Sequence, residues 1–361
     1  MFDMIRNWYE RTFTNPQVVI LGMALVVVLL LIMLLGKPLA PVFAAVIIAY
    51  LLEGPVCRLE QLHVPRLLAV ICVFVLFLTL LVMLLLLLAP LLSSQIAQFL
   101  QQIPTYIKQG QELLLRLPES YPQFVTVAQV EEIIGRMNST DITTYGNRVL
   151  AWFWSSVLGL ISLVVFLVLV PMMVFFLLKD KLVLLRWFVR YLPKDRELVD
   201  SVWTEVDLQI GNYVRGKVLE ILIIGAISWA VFSFLGLQYS ALLATITGFS
   251  VLIPFIGAAV VTLPVALVGF FQFGWGSEFF WVLMAYGIIQ ALDGNILVPV
   301  LFSEVNDLHP VAIIVSVLFF GSLWGFWGIF FAIPLATAVN AVLRAWPRSS
   351  DHEEQLADAA A

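Results

Sequence analysis

Residues 241–273, ALLATITGFSVLIPFIGAAVVTLPVALVGFFQF, form an apolar segment that is interrupted near its centre by Ile253-Pro254-Phe255-Ile256-Gly257. At a rise of about 1.5 Å per residue, one straight helix of this length exceeds the ~30 Å hydrocarbon core of a bilayer, whereas each half reaches only about 22 Å. The segment therefore predicts either a kinked, strongly tilted span or a re-entrant hairpin whose tip stops inside the membrane.

A second long apolar segment, Pro310–Leu343, is interrupted in a similar way by Gly321, Gly325 and Gly328, with Pro334 beyond them. Irregular backbone at membrane depth is tolerated where it is buried in protein or lines water. Paired interrupted segments are a sequence signature of transporter binding sites. Close helix packing through small residues is the structural alternative for each interruption.

The composition of the whole chain agrees with membrane insertion. Of 361 residues, 62% are hydrophobic and 12% charged, the mean hydropathy is +1.02, and residues 218–343 contain no Lys or Arg. These values exclude a soluble globular domain. We predict an all-α polytopic membrane protein with about eight membrane-embedded helical segments, two of them broken or re-entrant, and an amphipathic helical insert. We expect this protein to be embedded in the lipid bilayer, which is therefore one of its partners.

The distribution of apolar and charged residues divides the chain into five regions. The second apolar segment is short and is expected to end at Glu53-Gly54-Pro55. Most of the 19 Lys and Arg residues fall on one side of the predicted topology, which places both termini in the cytoplasm. Residues 1–89 contain the N-terminal membrane helices, including an uncleaved first span Val18–Leu35, and residues 90–150 form the extramembrane amphipathic helical insert. Residues 151–217 contain a membrane span and a cytoplasmic amphipathic segment. The C-terminal transport unit with both broken segments covers 218–346, and a disordered acidic tail covers 347–361.

Asp293 is the acidic residue inside the predicted helix Phe279–Phe302. A carboxylate at this depth costs a few kcal/mol on insertion scales, so it is expected to face a protein interior, a cavity or a pathway. Gln290 lies three positions earlier and shares its helix face, and Asn295 and Pro299 indicate irregular backbone. The functional hypothesis is an acceptor for a proton, cation or polar solute. The structural alternative is a hydrogen-bonded Asp that joins helices.

Two further groups of polar residues flank the broken segments. His309 precedes Pro310, which suits the first turn of a helix, so His309 is either a helix cap or a titratable group at a gate. Tyr213, Arg215 and Lys217 precede the predicted span Val218–Leu235. They are predicted to be cytoplasmic anchors or, as a possible cytoplasmic gate, contacts for an anionic substrate. Glu220, one turn into this span, is expected to snorkel to the membrane surface or to pair with Lys217 rather than to line a pathway.

The sequence contains no pattern that predicts an enzyme. HExxH, GxSxG and Walker A motifs are absent, and Cys57 and Cys72 have no metal-ligand or CxxC spacing. We therefore expect no catalytic residue, no metal site and no cofactor. Basic clusters typical of nucleic-acid binding are also absent, so nucleic acid is not an expected partner. Transport, if it occurs, is driven by an ion gradient or by downhill flow.

An ordered set of motifs along the chain resembles the autoinducer-2 exporter family of bacterial inner-membrane transporters. The resemblance covers essentially the whole chain and is densest between Asp180 and Pro334. Its motifs are Phe-Phe-Leu-Leu-Lys-Asp-Lys at 175–181, Tyr213-Val-Arg-Gly-Lys217, Ile253-Pro-Phe-Ile-Gly257, Gln290 with Asp293-Gly-Asn-Ile-Leu-Val-Pro299, Leu308-His309-Pro310, the glycines 321, 325 and 328, and Ile333-Pro334-Leu335.

The resemblance implies a homo-oligomeric permease of the inner membrane, a pentamer in this family, with elevator-like movement. It implies a transport region formed by the Pro254–Gly257 loop, by Gln290, Asp293 and Asn295, and by Leu308–Pro310. The first functional hypothesis is export of a small polar metabolite, similar to autoinducer-2, by alternating access. The second is Na⁺(Li⁺)/H⁺ antiport, with a monovalent cation as the partner of Asp293. The third is a non-transporting membrane scaffold that binds partners through the insert.

Overall fold

The computed structural model describes residues 39–120, 126–139, 160–190, 197–254, 256–302 and 308–345. The predicted first span Val18–Leu35 and the predicted acidic tail 347–361 lie outside these residues. Within the described ranges the chain forms helices and no strand, in the order α1 Ala40–Gln61, α2 Arg66–Ser120, α3 Val127–Ser139, α4 Leu160–Lys179, α5 Lys181–Val189, α6 Glu197–Phe234, α7 Ser240–Ser250, α8 Ile256–Phe273, α9 Ser277–Leu292, a π-helical turn Asp293–Leu297, α10 Val298–Phe302, α11 Pro310–Trp324 and α12 Phe326–Ala345.

Five helical stretches within the described residues are long and apolar enough to cross a bilayer, and four shorter helices are apolar. The five are Ala40–Gln61, Arg66–Arg116, Trp203–Phe234, Ile256–Phe273 and Ser277–Phe302. The shorter ones are Phe166–Lys179, Ser240–Ser250, Pro310–Trp324 and Phe326–Asn340. This confirms the predicted all-α polytopic membrane fold.

Several predicted ends of helices are wrong. α1 continues through Pro55 as far as Gln61, because Val56 is fully buried and anchors the last turns. α2 is a single helix of 55 residues that passes Pro90 and Pro104, so no helix break separates the third span from the insert. At about 1.5 Å per residue this helix is about 80 Å long and extends well beyond a bilayer. α6 likewise joins the amphipathic segment to the fifth span without interruption.

The first packed group consists of α1, α2 and α4. Small and branched side chains from the three helices form one buried cluster: Ala45, Leu52, Val56, Ala69, Val70, Val73, Val170, Val174 and Leu178. Charged residues close one end of it. Glu53 lies 3.4 Å from the Arg66 guanidinium and 3.1 Å from the Lys181 ammonium, and Arg66 also donates to the Leu178 carbonyl at 2.7 Å. These interactions tie the three helices to α5.

The chain reverses direction at the first interruption, so α7 and α8 form a helical hairpin, called hairpin 1. A Cβ atom on Gly257 would lie 1.8 Å from the Ser250 carbonyl oxygen, which means that the two arms touch at this position and only glycine fits. At the open end Gln272 joins the arms, accepting from the Gln238 N–H and donating to the Gly236 carbonyl, each at 2.8 Å.

The second interruption is also a reversal, so α11 and α12 form hairpin 2. Gly325 makes the turn with φ 61°, a conformation that glycine adopts without a steric penalty. Residues on the two sides of this turn pack together, with Val317 and Phe320 of α11 against Ala332 of α12. Of the two alternatives open from the sequence, this packing favours hairpins over kinked spans. That their tips end inside the membrane stays a prediction.

The two hairpins meet through the tip of hairpin 1. Leu252 packs with Phe330 and Ile333 of α12, and Ile253 packs on the cluster of Val317, Phe320 and Ala332. α12 also contacts α1, where the Phe43 ring lies 5.8 Å from that of Phe331. The hairpin 1 tip is therefore enclosed by α6, α10 and hairpin 2, and this enclosed region contains the predicted intramembrane acid.

Candidate transport site

Asp293 begins the π-helical turn, and its side chain faces the protein interior. The Val298 N–H bonds to the Asp293 carbonyl, five residues back, which confirms the predicted irregular backbone. π-helical turns inside α-helices are frequent at functional sites. Asp293 is only 9% exposed, and its Oδ1 atom has no hydrogen-bond partner within the described part of the chain. A buried acceptor of this kind gains free energy from a bound proton, water or ligand.

A buried ion pair on α6 lies beside this acid. The Lys217 Nζ atom is 2.7 Å from Glu220 Oε2, and the two residues are 4% and 1% exposed. The predicted pairing is confirmed. The predicted role of Lys217 as a cytoplasmic anchor is wrong, because its ammonium is buried in protein. Desolvation of both charges makes this geometry costly to break.

Lys217 also contacts two other parts of the site. Its ammonium donates to the carbonyl of Val251 at 2.9 Å, and Val251 is the C-terminal cap of α7, at the tip of hairpin 1. The same ammonium lies 5.2 Å from the centre of the Phe302 ring on α10, which is a cation–π contact. A helix C-terminus carries partial negative charge. Lys217 therefore joins α6, hairpin 1 and α10.

Electrostatic interactions connect the ion pair with Asp293. The Lys217 ammonium acts on Asp293, and Asp293 acts on Glu220. With all three groups ionised the cluster contains one positive and two negative charges. Charges interact strongly over short distances in a low-dielectric interior. The cluster of Lys217, Glu220 and Asp293, called the charge cluster below, therefore has one carboxylate more than its lysine balances.

Two further buried polar atoms without a partner lie between α6 and α9. They are Ser228 Oγ and Gln290 Nε2, and neither has a hydrogen-bond partner among the described residues. The helices run antiparallel, since the Phe232 ring stacks on that of Tyr286 at 6.4 Å near one end while Lys217 meets Phe302 near the other. Ser228 lies four residues before Phe232 on α6, and Gln290 lies four residues after Tyr286 on α9. Because the helices are antiparallel, the two residues lie at the same level.

The structure separates Asn295 from this group, although the sequence predicted that it belonged to the site. Asn295 is exposed, and its Nδ2 atom donates to the Ala291 carbonyl of its own helix at 2.8 Å. Side chains two positions apart on a helix point to nearly opposite faces, so Asn295 faces outward where Asp293 faces the protein interior. The expectation that Asn295 contributes to the pathway is therefore not supported by its position.

His309 and Pro310 lie at the start of α11. The His309 Nδ1 atom accepts from the Val311 N–H at 3.3 Å, which confirms the predicted helix cap. Pro310 occupies the first helical position. His309 is exposed and does not contact the charge cluster. Both residues thus set where hairpin 2 begins, and any role at a gate stays a prediction.

The remaining predicted residues surround the charge cluster or shape the hairpins. Tyr213 is 2% exposed and packs on the rings of Phe302 and Phe330. Arg215 donates to Asn212 Oδ1 at 2.8 Å on its own helix. Pro254 and Gly257 form the tip of hairpin 1, and Gly321 and Gly325 form the turn of hairpin 2, where the Gly325 N–H bonds to the Gly321 carbonyl at 2.7 Å.

Sequence reasoning missed Ser228 and gave Glu220 no role in the pathway. One signal was available. Lys217, Glu220, Ile224 and Ser228 recur at three- and four-residue steps, so they occupy one face of α6, and three of the four are polar inside an apolar helix. A polar stripe of this kind at membrane depth indicates a buried site.

Comparisons with known proteins identify the family of this chain. The family model described as AI-2E family transporter matches residues 21–348. The chain belongs to the AI-2E transporter family. The PerM permease of Escherichia coli (strain K12) is 45% identical over 347 residues, which cover 96% of this chain and 98% of that relative.

More distant AI-2E relatives align over most of their length as well. The AI-2 transport protein TqsA of Escherichia coli (strain K12) is 24% identical over 330 residues, which cover 90% of this chain and 91% of TqsA. YueF of Bacillus subtilis (strain 168) is 24% identical over 303 residues, covering 81% of this chain and 80% of YueF. The protein is therefore a multi-pass bacterial membrane protein of a transporter family, and this membership favours transport over the scaffold hypothesis.

Proposed function

We propose that this AI-2E protein is a secondary transporter that exports a small polar metabolite across the bacterial inner membrane by alternating access. The observation that carries the proposal is the buried, unpartnered Oδ1 atom of Asp293. It lies on a π-helical turn beside the tip of hairpin 1. An unpaired polar group in such surroundings costs about 1–3 kcal/mol, and a solute that donates a hydrogen bond to it recovers that cost.

The other unpartnered atoms define what such a solute offers. Gln290 Nε2 is a donor, and the Ser228 hydroxyl is both donor and acceptor. A solute with several hydroxyl or carbonyl groups satisfies all three positions at once. The relative TqsA is named an AI-2 transport protein, so an AI-2-like metabolite is the cargo that we propose to test first.

Alternating access requires that the site opens to one side at a time, and the hairpins suit this movement. In the orientation that we propose, with both termini cytoplasmic, hairpin 1 enters the membrane from outside and hairpin 2 from inside. Their contact at Leu252, Phe330 and Ile333 is apolar and therefore contains no directional bonds that oppose sliding. Movement of α7–α12 against α1, α2 and α4 would expose the site first to one side of the membrane and then to the other. Assembly as a homo-oligomer would hold α1, α2 and α4 in place.

A second candidate function is antiport of Na⁺ or Li⁺ against H⁺. The specific observation in its favour is the charge cluster, in which two carboxylates face one ammonium. The uncompensated negative charge is a site for a proton or a monovalent cation. Under this hypothesis the cation itself is the cargo.

One experiment distinguishes the proposals. The purified chain is reconstituted in proteoliposomes, and flux is measured for a panel of hydroxylated metabolites and, with a pH-sensitive dye, for Na⁺- and Li⁺-driven proton release. Asp293→Asn is expected to reduce flux of the true cargo at least about tenfold, the loss of one strong hydrogen bond. Asn295→Ala is the matched control, since that side chain is exposed and bonds only to its own helix.

Each outcome has a defined consequence. Metabolite flux that requires Asp293 supports the exporter, and Na⁺-dependent proton release that requires Asp293 supports the antiporter. Unchanged flux in Asp293→Asn, or equal losses in Asp293→Asn and Asn295→Ala, would contradict a transport site at Asp293.

A further inference from the structure

The short helix α5, Lys181–Val189, follows the apolar helix α4 after a bend at Asp180. Its sequence is apolar except for Lys181 and Arg186. A helix that is apolar on all sides is normally buried, either in protein or in a membrane. Most of the described side chains of α5 are nevertheless exposed in the single chain. The described helices therefore leave α5 uncovered.

Charged side chains at the start of α5 mark the surface of the membrane. Lys181 Nζ lies 3.1 Å from Glu53 Oε1 of α1, and Arg66, the first residue of α2, lies 3.4 Å from the same carboxylate. Lys179, the last residue of α4, lies 3.3 Å from Asp180. Charges that meet at one level of three apolar helices indicate the boundary of the hydrocarbon. α5 begins at this boundary.

The ion pair between Lys181 and Glu53 determines which side of α5 faces away from the protein. Successive residues of a helix are rotated by about 100°, so residues 182, 183, 186, 187 and 190 fall within an arc of about 140° that is centred opposite Lys181. Its apolar members are the most exposed of the helix: Leu182 is 60%, Val183 57% and Trp187 53% exposed, whereas Leu184 and Leu185, which lie nearer to Lys181, are 36% exposed. We call these five residues the outward arc.

Two guanidinium groups occupy the middle of the outward arc. Arg186 and Arg190 are both exposed and lie four residues apart, where side chains of a helix are neighbours. The Arg190 N–H bonds to the Arg186 carbonyl at 3.1 Å, so the helical turn continues to Arg190. Like charges at this spacing repel each other. An anion placed between the two groups removes that repulsion.

The acids at this end of the bundle are paired with other cations. Glu53 and Glu60 lie 3.4 Å and 3.2 Å from Arg66, and Asp180 lies 3.3 Å from Lys179. Residues 181–194 contain no Asp or Glu. Within the described part of the chain, no carboxylate forms an ion pair with either arginine of the outward arc. The charge of the arc is therefore complementary to an anion from outside the chain.

We propose that the outward arc binds an anionic phospholipid, with both guanidinium groups on the lipid phosphate and the apolar side chains among the upper parts of the acyl chains. Arginine pairs with phosphate oxygens in a bidentate manner, and tryptophan is enriched at headgroup level. A helix in the membrane interface gains affinity from its buried apolar area and from attraction to anionic lipids. In the proposed topology this is the cytoplasmic leaflet.

The test measures which lipids surround α5, and it requires no transported cargo. Leu184→Cys, beside the outward arc, is labelled with a bimane fluorophore in a background with Cys57→Ser and Cys72→Ser. The full chain is reconstituted in phosphatidylcholine nanodiscs that contain a small fraction of nitroxide-labelled phosphatidylglycerol or of equally labelled phosphatidylcholine. The nitroxide is near the top of one acyl chain. Quenching by each lipid reports its local concentration at α5, and iodide reports exposure to water.

Phosphatidylglycerol is expected to be enriched at least about tenfold over phosphatidylcholine, since each of two basic residues near the surface increases attraction several-fold. Arg186→Gln combined with Arg190→Gln should remove most of the enrichment. The corresponding pair of lysine variants should retain an intermediate value, because ammonium groups keep the charge and lose the bidentate geometry. Lys108→Gln combined with Arg116→Gln is the matched control, since it removes two exposed cations from α2, and it should follow the parent.

Each contrary result overturns the proposal. Equal quenching by the two lipids in the parent would show that α5 does not select anionic lipid, and unchanged enrichment in the glutamine variant would exclude the two arginines. Iodide quenching stronger than lipid quenching would place α5 in water, and protection from both would show that a second copy of the chain covers it. Loss of the enrichment in inorganic phosphate, but not in chloride of equal ionic strength, would show that the site takes a free anion. The comparison of lipids in the parent involves no arginine substitution, so it stands even where the glutamine variant folds poorly.

Discussion

Lys217 and Glu220 stand one helical turn apart on α6 and form an ion pair of 2.7 Å that is almost completely enclosed by protein. Buried pairs are costly to break, because removal of one partner leaves an unbalanced charge in a low-dielectric interior. Here Asp293 is a second acid within electrostatic range of the same lysine. The lysine therefore balances charge from two acids, and this has consequences for stability as well as for transport.

The charge cluster is expected to show strong non-additivity in stability. Glu220→Gln and Asp293→Asn each leave Lys217 with one carboxylate, so each costs about 1 kcal/mol. The double variant leaves the buried ammonium without a carboxylate and costs about 3–5 kcal/mol. A double-mutant cycle on thermal unfolding in detergent measures the difference. Additive losses would show that Asp293 does not compensate the lysine.

Gly257→Ala is expected to disrupt hairpin 1. The new Cβ atom would lie 1.8 Å from the Ser250 carbonyl oxygen, and because backbone cannot move aside as a side chain does, the cost is about 3 kcal/mol. Gly287→Ala on α9 is the control, since a Cβ atom there meets nothing within 4 Å. Folded yield and melting temperature in detergent compare the two. Equal behaviour of the two variants would mean that the arms do not touch.

Gln95 on α2 is expected to stabilise the start of hairpin 1. Its Oε1 atom accepts from the Leu242 N–H at 2.8 Å, in the first turn of α7, whose own N-cap Tyr239 makes no side-chain cap bond. Gln95→Leu should cost about 1 kcal/mol, the usual value of a lost N-terminal cap. Gln98→Leu, at an exposed position on the same helix, should have little effect. Hydrogen exchange of the α7 amides provides the measurement.

The two ends of hairpin 1 are expected to lie on the same side of the membrane. Gln272 joins them by bonds to Gly236 and Gln238. In a cysteine-free background, Gln238→Cys and Ser277→Cys should therefore react with an impermeant maleimide added to one and the same side of oriented vesicles. Labelling from opposite sides would instead indicate a kinked span. The native Cys72, exposed on α2, must be replaced beforehand.

Much of the architecture was predictable from local sequence. Long apolar segments must form helices in a bilayer, because no water is present to bond unpaired backbone groups, and the interruptions at Pro254 and Gly325 marked both reversals. Ends of helices were harder to predict, since Pro55 and Pro90 lie inside helices that continue. Proline weakens a helix only locally, and packing of residues such as Val56 compensates for that loss.

The site itself was predictable only in part. Asp293 and Gln290 stood out as polar residues in an apolar helix, and His309 was correctly identified as a helix cap. The role of Lys217 was misjudged, because sequence position at the start of an apolar run does not reveal whether a side chain faces headgroups or protein. The exclusion of Asn295 from the site follows from its spacing, because side chains two positions apart on a helix do not face each other, and this signal was available in the sequence.

The sequence by itself determined the membrane location, the helical class, the two breaks and the presence of a buried acid, since each follows from hydrophobicity and backbone chemistry within short stretches. Only the tertiary structure decided which groups meet. Lys217 and Val251 lie far apart in the chain, and their hydrogen bond depends on how hairpin 1 returns against α6. Burial and unpaired hydrogen-bonding atoms are properties of that packing, because they depend on every neighbouring helix at once.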